Sequence, residues 1–172
     1  MRLSIFSFQG DVEYGFAPVF SICSPGRGNE TNGLYGNPLK VQKKFNDMFG
    51  QPLLGVLDSL RDPKHADHSP ILEVMVDITS RSEFAGISVP RRITIISDMI
   101  QNSPILRLFG DGDKHPQPEI ASERAGARSF PTFALRVFQI RGRYSEEDLD
   151  RAKDFWVSWA SLYGITIDWN HL

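Results

Sequence analysis

The sequence predicts an α/β protein with a mostly parallel sheet and helices on both faces. Three observations carry this expectation. Arg91–Pro104 reads RRITIISDMIQNSP, in which the apolar run Ile93, Thr94, Ile95, Ile96 is closed by Ser97 and Asp98. A short apolar run bounded in this way predicts a buried central strand. Downstream, the strand-like runs Phe133–Ile140 and Ile165–Trp169 flank a helical pattern, the spacing of a parallel crossover unit. The whole chain reads β-β-α-α-β-(loop or helix)-β-α-β.

The 172 residues suit one domain spanning 1–172, large enough to bury a core. With 41% hydrophobic and 23% charged residues, the composition is that of an ordinary soluble globular protein. A net charge of −2 gives no electrostatic footprint for nucleic acid. No apolar run approaches the roughly 18 residues of a membrane span. Cys23 is the only cysteine, so no intrachain disulfide forms and a reducing, cytoplasmic location is expected. A secretion signal is not visible after Met1, although one can lie upstream if the chain is a fragment.

Leu3–Phe8 alternates loosely and predicts a first strand. Gly10-Asp11 predicts a turn, and Phe16–Ile22 a second strand, at an edge because it contains Pro18. Ser24–Pro38 is Gly-, Asn- and Pro-rich and reads as a loop. Pro38 suits a first helical turn. Val41, Phe45, Met48 and Phe49 recur at helical spacing until Gly50-Gln51-Pro52 intervenes, which predicts two helices or one kinked helix up to Leu60. Ser69-Pro70 predicts the next helix start, with Ser69 as N-cap, followed by Ile71, Leu72, Met75, Val76 and Thr79. Ser88–Pro90 leads into the Ile93–Ile96 strand. The long polar segment Phe109–Phe130 is expected to be functional or mobile. Ser145 caps the clearest helix, whose first turn carries Glu146, Glu147 and Asp148. Leu149, Ala152, Trp156, Trp159 and Tyr163 line its buried stripe, and Gly164 ends it.

Three of these segments together carry a family resemblance: Ser69-Pro70-Ile71-Leu72-Glu73 opening a helix, Ile93–Asp98 ending a strand, and Phe155-Trp156 in the last helix. From Leu3 onward the chain resembles a von Willebrand factor type A-like domain, a Rossmann-like fold, and is most similar to the uncharacterised bacterial branch. Such domains typically hold a divalent metal at the top of the sheet. Their ligands are an Asp-x-Ser-x-Ser loop, a Thr from a later loop and an Asp after the fourth strand. The resemblance implies Asp98 as that last ligand and Ser69 in the place of the Thr, with Mg²⁺ as the implied metal. The Asp-x-Ser-x-Ser loop has no match here. Asp77-Ile78-Thr79-Ser80 is no substitute, because it lies well inside the helix begun at Ser69-Pro70. The family's first strand and helix are also missing, so the chain reads as N-terminally truncated or as a smaller, rearranged sheet. In either case two neighbouring strands are left with unpaired backbone groups, or pair with each other.

Independently of the resemblance, a carboxylate at the carboxyl end of a parallel strand lies where open α/β sheets place ligands. That argument makes Asp98 a candidate ligand by itself; with Ser69, which the resemblance places beside it, it forms a candidate hard-cation site, and Gln101, Asn102 and Ser103 can line the same crevice as ligand-binding residues. The opposing reading makes Asp98 and Ser69 local caps and the other three loop polarity. His65 and His68 flank Asp67 but lack further zinc ligands at suitable spacing. Asp111-Gly112-Asp113 lacks the later acceptors of a calcium loop. Arg141 and Arg143 can meet an anion at the sheet's carboxyl edge, with solvated surface arginines as the default. The Trp156, Trp159, Tyr163 stripe suits core packing better than a partner face. There is no Gly-x-Ser-x-Gly elbow, Cys23 has no local base, and Gly26-Arg27-Gly28 does not continue into a phosphate loop.

The expected function is thus non-enzymatic: a protein-interaction module that meets an unknown protein partner at the carboxyl edge of the sheet, with or without a metal. The alternative is a Rossmann-like metal-dependent hydrolase or phosphoryl-transfer enzyme using Asp98. A third reading is a structural domain that binds no metal.

Overall fold

A computed structural model describes residues 2–7, 16–33, 36–61, 68–82, 84, 90–109, 117–127 and 129–172. Expectations for Gly10-Asp11, His65, Asp67, Ser88, Asp111-Gly112-Asp113 and His115 fall outside these residues. The chain divides into two compact units, Met1–Ala66 and Asp67–Leu172.

In the first unit, β1 (Arg2–Ile5) and β2 (Phe20–Cys23) form a two-stranded antiparallel ribbon, with Leu3 opposite Ile22. Pro18 precedes β2 instead of lying within it. Its missing N–H therefore costs the ladder nothing. Asn37 caps α1 (Pro38–Phe45), its side chain accepting from the Leu39 and Lys40 amides. A π turn at Asn46–Gly50 joins α1 to α2 (Gln51–Ser59). The predicted interruption at Gly50-Gln51-Pro52 is thus a π turn in one continuous helical run. Pro52 has no amide hydrogen, and its ring crowds the carbonyl four residues back. A wider turn just before it relieves that crowding. Phe49 packs edge-on against Phe20, with centroids 5.7 Å apart, and is buried, whereas no residue of α1 or α2 is.

The second unit carries α3 (Ile71–Ser80), β3 (Arg92–Ser97), α4 (Pro118–Arg124), β4 (Ala134–Gln139), α5 (Glu146–Leu162) and β5 (Thr166–His171). The three strands are parallel in the order β3-β4-β5, with Ile93 beside Leu135 and Leu135 beside Ile167. The α/β expectation holds, and α4 supplies the helix of the long polar segment. The central place expected for Ile93–Ile96 does not hold: β4 is central and β3 lies at an edge of the described sheet. The two crossovers each step one strand in the same direction, which leaves the first strand outermost.

Strand burial alternates as the pleat requires. Ile93, Leu135, Val137 and Gln139 are buried on one face, together with α5. Helices on both faces would bury the other face too, yet Thr94, Ile96 and Asp168 are exposed there, Ile96 by 67%. Successive crossovers of one hand in one direction place their helices on the same side. Accordingly α4 and α5 pack on each other, and the Trp159 indole N–H donates to Ser122 Oγ at 3.0 Å.

The core is built around α5. Ser145 caps its start, as the sequence predicts, and Asp148 returns a bond to the Ser145 amide that completes a capping box. Trp156 and Trp159 are fully buried, and both indole N–H groups have acceptors, Met99 O and Ser122 Oγ. Phe130 meets Trp159 and Tyr163 edge-on at 4.9 and 4.8 Å. The aromatic stripe is therefore core, as helical spacing implies. Gly164, at φ 64°, turns the chain from α5 into β5.

Candidate functional site

The site lies where β3 ends and the chain turns. Ser97 is the last strand residue, and its hydroxyl accepts from the Met99 amide at 3.1 Å. Asp98 Oδ1 accepts from the Ile100 amide at 3.0 Å. These two side chains substitute for ladder partners just past the strand's end. Met99 is the one described non-glycine residue at positive φ (62°), and it is completely buried. A left-handed backbone at such a residue costs about 1–2 kcal/mol. It persists because surrounding groups over-determine it: the Ser97 hydroxyl holds the Met99 amide, and Trp156 donates to the Met99 carbonyl at 2.8 Å.

Asp98 Oδ2 makes no hydrogen bond among the described residues. Its neighbour is Gly142, at φ 55° in the turn after β4. A Cβ at Gly142 would lie 3.7 Å from Oδ2. Below it, Gln139 Nε2 donates to the carbonyls of Asp98 (3.3 Å) and Leu149 (3.2 Å). The Trp169 indole in turn donates to Gln139 Oε1 at 3.1 Å. Gln139 thus ties the ends of β3 and β4 to α5. Sequence reading missed it, because a single Gln at the end of a strand carries no spacing signal.

Ser69 pairs with Asn102 through both backbone groups, at 2.7 and 3.0 Å. Ser69 does not cap α3. The N-cap is Pro70, which makes no side-chain cap bond. The helix is capped from afar: Gln101 Oε1 accepts from the Leu72 amide at 2.9 Å. Gln101 Nε2 donates to Glu73 Oε2 at 2.8 Å and to Ser103 Oγ at 3.0 Å. A backbone amide only donates and a carboxylate only accepts, so the orientation of the Gln101 amide is unambiguous. Ser103 Oγ also accepts from the Ile105 and Leu106 amides. Gln101 is 1% and Ser103 2% exposed. The structure therefore gathers Ser69, Gln101, Asn102 and Ser103 into one cluster with the start of α3. The polar atoms of Gln101 and Ser103 are committed inside the protein.

Arg141, a candidate for anion binding, lies 3.4 Å from Glu146, both exposed. An exposed pair of this kind contributes little to stability, about 0–1 kcal/mol. Arg143 stacks over the Tyr144 ring at 5.5 Å.

Magnesium takes about six oxygen ligands in near-octahedral geometry. Asp98 offers one carboxylate oxygen outside its turn, and the Glu73 carboxylate is turned to Gln101. Among the described residues no group of three or more His, Cys, Asp or Glu side chains could hold a metal ion. These residues do not fit a resident magnesium. What the arrangement can do is present one oriented carboxylate oxygen at the carboxyl edge of the sheet, beside Gly142. The chain matches no protein-family model, no curated protein and no solved structure.

Proposed function

We propose that residues 67–172 are part of a von Willebrand factor A-like, Rossmann-like sheet acting as a protein-interaction module. The partner meets the carboxyl edge at Asp98. The observation that carries this reading is Met99: a buried residue held in a left-handed backbone beside a carboxylate, at the end of a parallel strand. Backbone strain held in place by its surroundings concentrates at functional sites. Ligands of open α/β sheets bind at the carboxyl ends of the strands. The parallel order β3-β4-β5 and the position of Asp98 also support the family resemblance.

In this reading recognition runs through hydrogen bonds from the partner to Asp98 Oδ2. A bridging metal is not required. The test is a photoreactive residue at exposed Arg141 in the whole chain, used for crosslinking in cells. One defined partner should be captured there and not from a photoreactive residue at Ser59 in α2. Asp98→Asn should reduce capture about tenfold, the equivalent of about 1.4 kcal/mol. Equal capture from both positions, or capture indifferent to Asp98→Asn, would refute the module. Metal-dependent phosphoester turnover lost in Asp98→Asn would establish the hydrolase instead.

A further inference from the structure

Among the described residues no strand pairs with the outer edge of β3, and the chemistry of that edge is unusual. The Arg91 and Ser97 carbonyls accept from the Ala134 and Ile140 amides of the β4 side. Backbone groups alternate sides along a parallel ladder, so the odd-numbered residues of β3 face β4. The amides and carbonyls of Arg92, Thr94 and Ile96 therefore point away from it. Among the described residues no strand pairs with them. Native edges are normally blunted by charge, proline, bulges or shortness. The opposite edge follows that rule, because β5 carries Asp168, Asn170 and His171. In contrast β3 is six residues of RITIIS, β-branched at Ile93, Thr94, Ile95 and Ile96, with Thr94 and Ile96 exposed.

We propose that this edge pairs with the same edge of a second copy of the chain. Self-pairing of one strand about a two-fold axis is antiparallel. Hydrogen-bonded pairs must then join outward-facing residues, so even-numbered positions meet even-numbered positions. This parity sends like faces to like faces and extends the sheet from three strands to six, with the α5 face of both copies on one side. Two registers satisfy it with substantial overlap. With Thr94 on the axis, Arg92 lies opposite Ile96 of the partner subunit, a charge against an exposed aliphatic chain. With Ile95 on the axis, Thr94 lies opposite Ile96 of the partner subunit, and Arg92 lies opposite Asp98 of the partner subunit. The second register makes the strand complementary to itself in charge, twice over. It directs the exposed Arg92 to the carboxylate whose Oδ2 is uncommitted. The occupant is thus a second copy, and Arg92 of the partner subunit contributes to the carboxyl-edge site. A carboxylate has about four acceptor positions, so this pairing does not rest on the ligand reading above.

The test is sedimentation velocity of the whole chain from about 1 to about 200 μM, the range in which a small interface associates. A concentration-dependent dimer is expected, twice the 19.4 kDa chain mass. Ile96→Lys places a guarding charge on the edge and should raise the dissociation constant about tenfold or more. Arg92→Glu should do the same at low salt, and its effect should shrink as salt rises. Both positions are exposed, and unchanged circular dichroism will show that each variant folds. A monomer throughout the range overturns the proposal, as does a dimer indifferent to Ile96→Lys. A dimer broken by Ile96→Lys but indifferent to Arg92→Glu overturns the register.

Discussion

Gln101 shows how one side chain can stand in for several local signals. It satisfies an orphan amide at the start of α3, the Glu73 carboxylate and the Ser103 hydroxyl while almost wholly buried. Gln101→Leu keeps the volume and strands the Leu72 amide without an acceptor. The expected loss is about 1–3 kcal/mol, the cost of a buried unsatisfied donor, read as a lower urea midpoint. A loss under about 0.5 kcal/mol would mean that the amide finds another acceptor. Met99 sets two effects against each other. Met99→Gly relieves about 1–2 kcal/mol of left-handed backbone cost but deletes a fully buried side chain, and truncations of that size cost about 2–5 kcal/mol. Packing wins, so the variant should be less stable than the parent in thermal unfolding. A gain in stability would mean that the backbone strain at Met99 outweighs the packing of its side chain.

At the scale of the elements, the two serine caps make a paired prediction. The sequence offers both Ser69 and Ser145 as N-caps, and only Ser145 acts as one. Ser145→Ala should cost about 1 kcal/mol, the usual value for a lost N-cap. Ser69→Ala should be within about 0.5 kcal/mol of neutral, because its structural part is played by backbone groups that alanine retains. Equal losses from the two variants, measured by urea denaturation, would contradict this assignment. The difference was not legible locally. Asp148 sits three residues after Ser145 and returns a bond to it, whereas the acceptor for α3 comes from Gln101, beyond β3. The helical run Pro38–Ser59 gives a similar lesson. Pro52 announces a disturbance, but a π turn and a break look alike in the residues themselves. Which one forms depends on whether helical backbone can be kept on both sides, and here Asn46 and Gln51 both retain it.

At the scale of the whole molecule, the want of a magnesium ligand set among the described residues yields a prediction. Millimolar Mg²⁺ should shift the melting temperature by less than about 1 °C, since a ligand stabilises only as far as its concentration exceeds its dissociation constant. A clear shift, abolished in Asp98→Ala, would restore the metal site that the resemblance implies. The sequence by itself determined the element types of the second unit apart from α4, the parallel βα rhythm, the α5 core stripe and the carboxylate at the end of β3. Periodicity and capping are local properties, written in residues a few positions apart. Strand order, the exposed second face, the edge position of β3, the remote cap made by Gln101 and the ties made by Gln139 were decided only by tertiary structure. Each depends on partners tens of residues distant, where pairing is chosen by the hand of the crossovers and the satisfaction of buried polar groups. Neither leaves a pattern along the chain. Ile93–Ile96 illustrates the limit: four β-branched residues specify a strand, but nothing in them says that it ends the described sheet.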